Sequence, residues 1–471
     1  MVGFEEALVA AHELSCVQDE SPLATVMIYR LLLAVLHRVV DGPALLPAWE
    51  KIWCEPRFDE DRVRGYFEQW RHRFDLFDLE RPFLQVPRLA GVLRNERPGK
   101  EPEAIPVRRL ALECSWYAGS VNLLEHGGDE QGLTPAEAVR AMLGFLGFGP
   151  GGRILNDSGY PKACPLRGGA LVLARGATLR ETLTLNLLTP GSRRMPAEVG
   201  DLPAWEQSGP ADRRKRAVRG WLDALTWQAR RVELVPLDGP NGPRVVQSVT
   251  GVGLEPEGDW FEPMHAVVVR DPARGPESVR FEPDRAAWRD ALALFQGTGA
   301  MENYRGPSVC TQIGKLVEED VLPREMLFKL ELYGLASSQA AIGLWRAERM
   351  PLPVALLVDG DRLLAIGRGL EQAKQVGDAL RASTWLLARL ALSMGERAPD
   401  KKDVGGLVDR LDSTGRYWAA LGSGFGSFLE AVGREAPEPA VASWVHAAQA
   451  EARRALDRAA AQVGSTARAF Q

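Results

Sequence analysis

Two short stretches of the 471-residue sequence set chemistry-bearing residues at informative spacing: Gly147-Phe-Gly149-Pro-Gly151-Gly152 and Ser337-Ser338-Gln339. Closely spaced glycines allow φ > 0 and expose backbone N–H and C=O groups with no Cβ in the way, which suits close approach to a ligand. The run fits neither phosphate-cradling pattern. It follows a helical segment and enters a loop, and Gly-x-x-x-x-Gly-Lys-Ser/Thr occurs nowhere. A helix stop followed by a loop is the simpler explanation from the residues alone. Gln339 sits where an alternating segment, Leu327 to Tyr333, gives way at Gly334 to a polar knuckle before Ile342 to Trp345, which Pro351 and Pro353 close. A long amide at such a turn is a capping residue or a probe aimed at a partner, and the residues alone favour the cap.

The usual catalytic constellations are missing. The six histidines, His12, His37, His72, His126, His265 and His446, are scattered without a His-Glu-x-x-His motif, which speaks against a metal-dependent hydrolase. Ser337 and Ser338 lack the Gly-x-Ser-x-Gly elbow of a serine hydrolase. Asp359-Gly-Asp361 reads as a turn before a helix rather than a cation site. Five cysteines without a Cys-x-x-Cys pair give no disulfide scaffold and no structural zinc site. No enzyme activity, metal or cofactor is therefore expected.

A formal net charge of −5 argues against a stand-alone scaffold that coats itself in nucleic acid, because such binding needs many cations to displace counterions. Local basic clusters remain. Arg153, Lys162 and Arg167 lie in the loop after the glycine run, and Arg213-Arg214-Lys215-Arg216 is the densest positive cluster. These are candidate phosphate contacts. There is no signal-peptide pattern, and Leu23 to Val40 is interrupted by Arg30, His37 and Arg38, so it reads as a buried helix rather than a membrane span. A cytoplasmic protein is expected.

The elements that must position these residues form an α+β chain. Ser21-Pro22 caps an apolar helix with Leu31, Leu32, Leu33, Val35 and Leu36 in the core, and Asp59 to Phe74 is helical. Arg88 to Arg109 reads as a loop. Thr134-Pro-Ala-Glu137 is a capping box opening the helix before the glycine run, and Thr178-Leu-Arg-Glu181 opens another through Leu188. Arg213 to Arg216 begins a helix over Ala217 to Arg230. Val232 to Pro236, Arg244 to Thr250, His265 to Arg270 and Val279 to Phe281 form a small antiparallel sheet, and Asp284 caps a helix to Phe295. Leu363 to Leu392, Val404 to Val432 and Ala440 to Val463 make a C-terminal helical bundle. The expected domains are 1–360, mixed α/β, and 361–471, the bundle.

Several blocks, in order along the chain, carry a further signal. They are Ser21-Pro-Leu with Arg30-Leu-Leu-Leu-Ala-Val-Leu-His37, Arg73-Phe-Asp-Leu-Phe with Arg81-Pro-Phe-Leu-Gln85, Asn122-Leu-Leu-Glu-His126, and Thr178-Leu-Arg-Glu-Thr-Leu with Leu185-Asn-Leu-Leu188. Leu225-Thr-Trp-Gln-Ala-Arg-Arg231 and Tyr333-Gly-Leu-Ala-Ser-Ser-Gln339, with Trp345-Arg346, Glu348-Arg349 and Pro351-Leu-Pro353, complete the set. Together they resemble the CasA family, the large subunit of the type I-E CRISPR surveillance complex Cascade. The resemblance implies a non-catalytic subunit whose partners are the other Cascade subunits, the 5′ handle of the CRISPR guide RNA, double-stranded target DNA and a helicase-nuclease. It further implies that the chain reads the protospacer-adjacent motif (PAM) in the minor groove, starts R-loop formation and helps recruit the nuclease, while guide pairing reads the long sequence.

Carried over by position, the motif-reading loop falls on Gly149, Gly151 and Gly152, and the strand-splitting wedge on Gln339 with Ser338 beside it. The loop toward the RNA handle falls on 120–132, with Asn122 and His126 matching. The bundle corresponds to the family's bundle against the inner subunits and displaced strand. A rigid tip with Gln339 exposed and facing the glycine loop is the expectation. There are departures. Some relatives place a lysine in the minor groove, yet Val249 to Trp260 has no basic residue here, so that contact is absent or is supplied by Arg244 or another arginine. The family's leading extended segment is shortened or missing, and the paired cysteines of some relatives are absent.

Overall fold

The computed structural model describes residues 2–113, 132–152, 156, 162–193, 195, 200–209, 211–238, 242–258, 261–298, 301, 303–338, 341–393, 398–434 and 436–464. At 337, 338 and 341–343 it describes the backbone only. The chain is α+β, organised around the helix Pro22–Val39. Ser21 caps it by accepting from the Ala24 N–H, with Pro22 at the first helical position. Leu31, Leu32, Leu33, Val35 and Leu36 are each at most 1% exposed, worth about 1.5–3 kcal/mol apiece as buried aliphatic side chains. This helix has the length and apolarity of a membrane span, but most of it is buried inside the protein. Its one fully buried charge, Arg30, pairs with Glu262 at 2.8 Å and donates to the Ala224 and Leu225 carbonyls.

Three sheets carry the connections that matter for the site. Arg230–Leu237 and Arg244–Val252 form an antiparallel pair, with Ile105–Pro106 on the outer edge of the second strand. Leu327–Ser338 lies between Leu171–Arg175 and Ala341–Pro353, antiparallel to both. Val267–Val268 pairs with Glu277–Ser278 and Tyr304–Arg305. The predicted single small sheet is thus divided between two, and Val279 to Phe281 forms no strand, the pairing there running through Glu277–Ser278. From Gly360 the chain is helical: Gly360–Leu392, Lys401–Leu411, Ser413–Arg434 and Pro437–Val463. Asp359 caps the first of these through the Arg362 N–H, and Asp412, left-handed at φ 47°, breaks the run predicted from Val404 to Val432.

Four local expectations fail for identifiable reasons. The segment after Arg88 is not all loop, because Leu89–Glu96 is a helix whose Leu89 and Leu93 pack on Val249. Tertiary contacts supply the stability that so short a helix lacks alone. Arg213 to Arg216 does not start a helix. Lys215–Arg216 is a short strand parallel to Glu255–Pro256, and only Trp221–Leu225 is helical, its first N–H groups taken by Asp201. Asp284 does not cap: a 3-10 turn, Ala287–Asp290, precedes the helix Ala291–Leu294, and the Ala287 N–H goes to Glu348. The helix after Thr178 ends at Leu185, where Asn186 bonds both backbone groups of Ala174.

Candidate nucleic-acid interface

The helix Pro135–Phe148 begins with a complete Thr134–Glu137 capping box and ends at the glycine run. Gly147 and Gly149 are packing positions. A Cβ on Gly147 would lie 2.5 Å from Met27 Sδ, and one on Gly149 would lie 2.8 Å from the Phe145 carbonyl and 3.2 Å from Cys164 Sγ. Gly149 is buried, whereas Gly151 and Gly152 are half-buried, and Gly152 has φ +97° with open space where a side chain would go. The loop returns at Lys162, which is exposed, and Cys164, whose N–H donates to the Gly149 carbonyl at 3.0 Å. Arg167, a candidate phosphate contact, is buried and donates to the Phe148 carbonyl at 3.2 Å; burial pushes its guanidinium below its usual range.

Two residues that sequence reasoning missed hold this loop. Arg230 is 2% exposed and donates from Nη2 to the carbonyls of Pro150 (2.7 Å) and Lys162 (2.9 Å). Asn156, left-handed at φ 67°, accepts from the Glu103 N–H and donates to the Glu103 carbonyl. The only sequence signal for the first was the tandem Arg230-Arg231, the second arginine turning away to pair with Glu96 at 2.7 Å. Asn156 had none.

The start of the Arg230 strand also reaches the basic cluster. Arg230 pairs with Val252, the Gly253 N–H donates to Ala229, and Lys215–Arg216 runs beside Glu255–Pro256. Arg213, Arg214 and Lys215 are exposed there, Arg214 beside Asp212 and Lys215 within 3.8 Å of Glu255. Arg216 is consumed internally. Its guanidinium makes a bidentate pair with Asp223 and stacks on Trp227, 4.6 Å from the ring centre. Arg244 donates to the Gly132 carbonyl.

The strand Leu327–Ser338 does not stop at Gly334; it continues as one arm of a long hairpin, paired through Ser338↔Ala341 with a bulge at Ala336/Ser337. Gly334 is needed instead for close approach. A Cβ there would lie 3.3 Å from the Gly169 carbonyl and from the Phe281 ring, so the hairpin touches the exit of the glycine loop. Glu331, buried at 1%, accepts from Arg175 on one neighbouring strand and Arg349 on the other, and from Tyr333 Oη. Arg346 bonds Glu348 and the Pro283 and Arg285 carbonyls, while Trp345 is 39% exposed.

Gln339, Asn122, His126 and Arg153 lie outside the described residues, as does the Ser338 side chain. Among the described residues no group of three or more His, Cys, Asp or Glu could hold a metal ion. His37 and His265 are buried core residues, held by burial at pKa values of about 3 and about 4.

Comparison with known proteins supplies a wider frame. The family model described as CRISPR-associated protein Cse1 matches residues 1–460. A curated protein of Thermus thermophilus, CRISPR-associated protein CasA/Cse1, is 32% identical over 446 residues, covering 92% of this chain and 84% of its own. The crystal structure of Thermus thermophilus CasA superposes with a TM-score of 0.80 at 30% identity, covering 100% of this chain and 92% of that one. A chain of a structure described as a CRISPR RNA-guided surveillance complex shares the fold, with a TM-score of 0.73 at 24% identity over 99% of this chain and 95% of that one.

Proposed function

The chain belongs to the CRISPR-associated Cse1 (CasA) family, and on that premise we propose that it is the PAM-reading, strand-splitting subunit of a CRISPR RNA-guided surveillance complex. It acts without catalysis of its own. The observation that carries this reading is the contact at Gly334 and Gly169, where the hairpin bearing Ser338 and Gln339 abuts the exit of the glycine loop. A motif reader and a wedge have to be neighbours, because the base pair to be split adjoins the motif. Gly151 and Gly152 supply backbone for minor-groove approach, and Gln339 enters beneath the motif. Gly149 holds the neck of the loop.

Arg213, Arg214 and Lys215 serve as phosphate contacts beside the lysine-free segment 249–260, in place of the basic finger of some relatives. Lys162 and Arg153 serve likewise. Asn122 and His126 face the 5′ handle of the guide RNA. The helical bundle, residues 361–471, docks on sibling subunits, and the assembled complex recruits a helicase-nuclease in the cytoplasm. The hydrolase reading has no observation in its favour among the described residues.

The test uses complexes reconstituted with and without this chain on linear target duplexes. Omission is expected to abolish motif-dependent binding; motif dependence that survives omission overturns the proposal. Gln339→Ala is expected to slow R-loop formation on intact duplex by about tenfold or more, since unstacking a step costs a few kcal/mol. A target with a premelted first base pair should largely restore the rate, and equal defects on both substrates would remove the wedge role.

A further inference from the structure

A loop that reads a groove through its backbone has to leave the protein body at a fixed spacing, since hydrogen-bond geometry tolerates only a few tenths of an ångström. We infer that Arg230 is a positioning residue for motif reading: its buried guanidinium sets the span between Pro150 and Lys162 and so fixes how Gly151 and Gly152 are presented. This rests on the motif-reading role proposed above.

One side chain joins both ends of the loop. Nη2 of Arg230 donates to the Pro150 carbonyl at the outgoing end and the Lys162 carbonyl at the returning end, while Nη1 holds the Ala229 carbonyl. Its described bonds are all to carbonyls, and no carboxylate is among them. A buried cation is costly, and an apolar side chain of similar volume would serve packing at lower cost. What a hydrocarbon cannot do is grip two chain segments at once. A lysine ammonium has donors enough for both carbonyls, but it lacks the planar fork that holds them in fixed directions and the further Nη1 bond to the Ala229 carbonyl.

The surroundings fit the same role. Gly149 packs at the same point: a Cβ there would crowd the Phe145 carbonyl at 2.8 Å and Cys164 Sγ at 3.2 Å, and would touch Arg230 Nε at 3.4 Å. Asn156 provides a second tie, bonding Glu103 through N–H and C=O and reaching the Thr250 carbonyl. Arg230 itself is anchored in a strand by its pairing with Val252. Both described ends of the loop are thereby referenced to the sheet that carries Arg230.

The experiment compares reconstituted complexes carrying the unaltered chain, Arg230→Lys, Gly149→Ala and Gly152→Val. Three quantities are read: the amount of this chain in the purified complex, affinity for complementary single-stranded DNA, and the ratio of affinities for duplexes with and without the motif. Single-stranded binding needs no motif, so a merely unstable subunit and a misplaced loop give different patterns. Arg230→Lys is expected to incorporate normally, to bind single strands unchanged, and to lose about tenfold or more in the motif ratio, the equivalent of one or two lost hydrogen bonds. Gly149→Ala should move the ratio in the same direction and carries the test if Arg230→Lys fails to incorporate. An unchanged ratio in assembled complexes overturns the inference, as does a single-strand defect equal to the duplex defect. If Gly152→Val lowers the ratio and both neck variants do not, positioning fails while motif reading stands. If a complex lacking the chain keeps the ratio, motif reading itself fails.

Discussion

Glu331 shows how much one buried side chain can hold in place. It lies on the middle strand of three and accepts from Arg175 on one side and Arg349 on the other. A slip of one residue in either strand would turn its partner to the opposite face. Glu331→Ala leaves the mostly buried Arg175 without its carboxylate, and a loss of about 3–5 kcal/mol in denaturant unfolding is expected. A change below about 1 kcal/mol would remove its role as the register lock. The two buried histidines make a second residue-scale prediction. His37 faces Arg193 and Arg38, and His265 faces Glu262, Arg30, Arg280 and Ser278; burial is the first cause of both low pKa values, about 3 and about 4. Unfolded histidine titrates near 6.5, so below that pH the unfolded chain binds protons that the folded chain refuses. Their contribution is therefore full above pH 6.5 and is lost as pH falls toward about 3 for His37 and about 4 for His265. Between pH 7 and 5 a loss of about 1–2 kcal/mol per histidine is expected, with a shallower pH slope for His37→Gln. Identical slopes would show that His37 does not titrate on unfolding.

At the scale of elements, the bundle rests on close approach between helices. Gly369 in the helix Gly360–Leu392 faces Phe428 and Trp444, which stack with ring centres 4.9 Å apart. Trp444 Nε1 donates to the Gly369 carbonyl, so the indole cannot move away. Gly369→Ala gains about 1 kcal/mol of helix propensity, but its Cβ would sit 2.7 Å from Phe428 Cζ, and overpacking costs about 1–3 kcal/mol. Net destabilisation is expected, and a rise in the thermal midpoint would show that the ring yields. Helix periodicity made these elements legible, yet nothing in the pattern distinguished Gly369, pressed against rings, from Gly360, with nothing within 4 Å. The hairpin teaches the same point. Gly334 reads as a strand stop, but the strand runs through it because a neighbouring backbone needs the space.

Across the whole molecule, the hydrophobic core is continuous through the junction at Gly360. Trp288, from the turn Ala287–Asp290, stacks on Phe425 at 4.7 Å and meets Trp444 edge-on. The bundle is thus fastened by an aromatic side chain from outside it. Trp288→Ala is expected to cost about 3–5 kcal/mol and to open the junction at 359–361 to limited proteolysis. Unaltered protein should unfold in one thermal transition; two well-separated transitions would show that the bundle is energetically independent.

The sequence alone carried the α+β class, the apolar helix, the Thr134 capping box and the Thr178 cap (where Glu181 reaches the Ala177 N–H instead of closing a box), the long C-terminal helices and, through ordered blocks, the family resemblance. These are local patterns or colinear residues, and each is complete within a window of the chain. The tertiary structure decided which residues do what. Arg167 and Arg216 share their residue type with Arg214, but two are absorbed by internal partners and one is exposed. Arg230 and Asn156 became visible only when carbonyls distant in sequence were brought within hydrogen-bond reach. A side chain's role depends on what surrounds it, and burial and bonding partners are set by packing between segments that sequence periodicity does not relate.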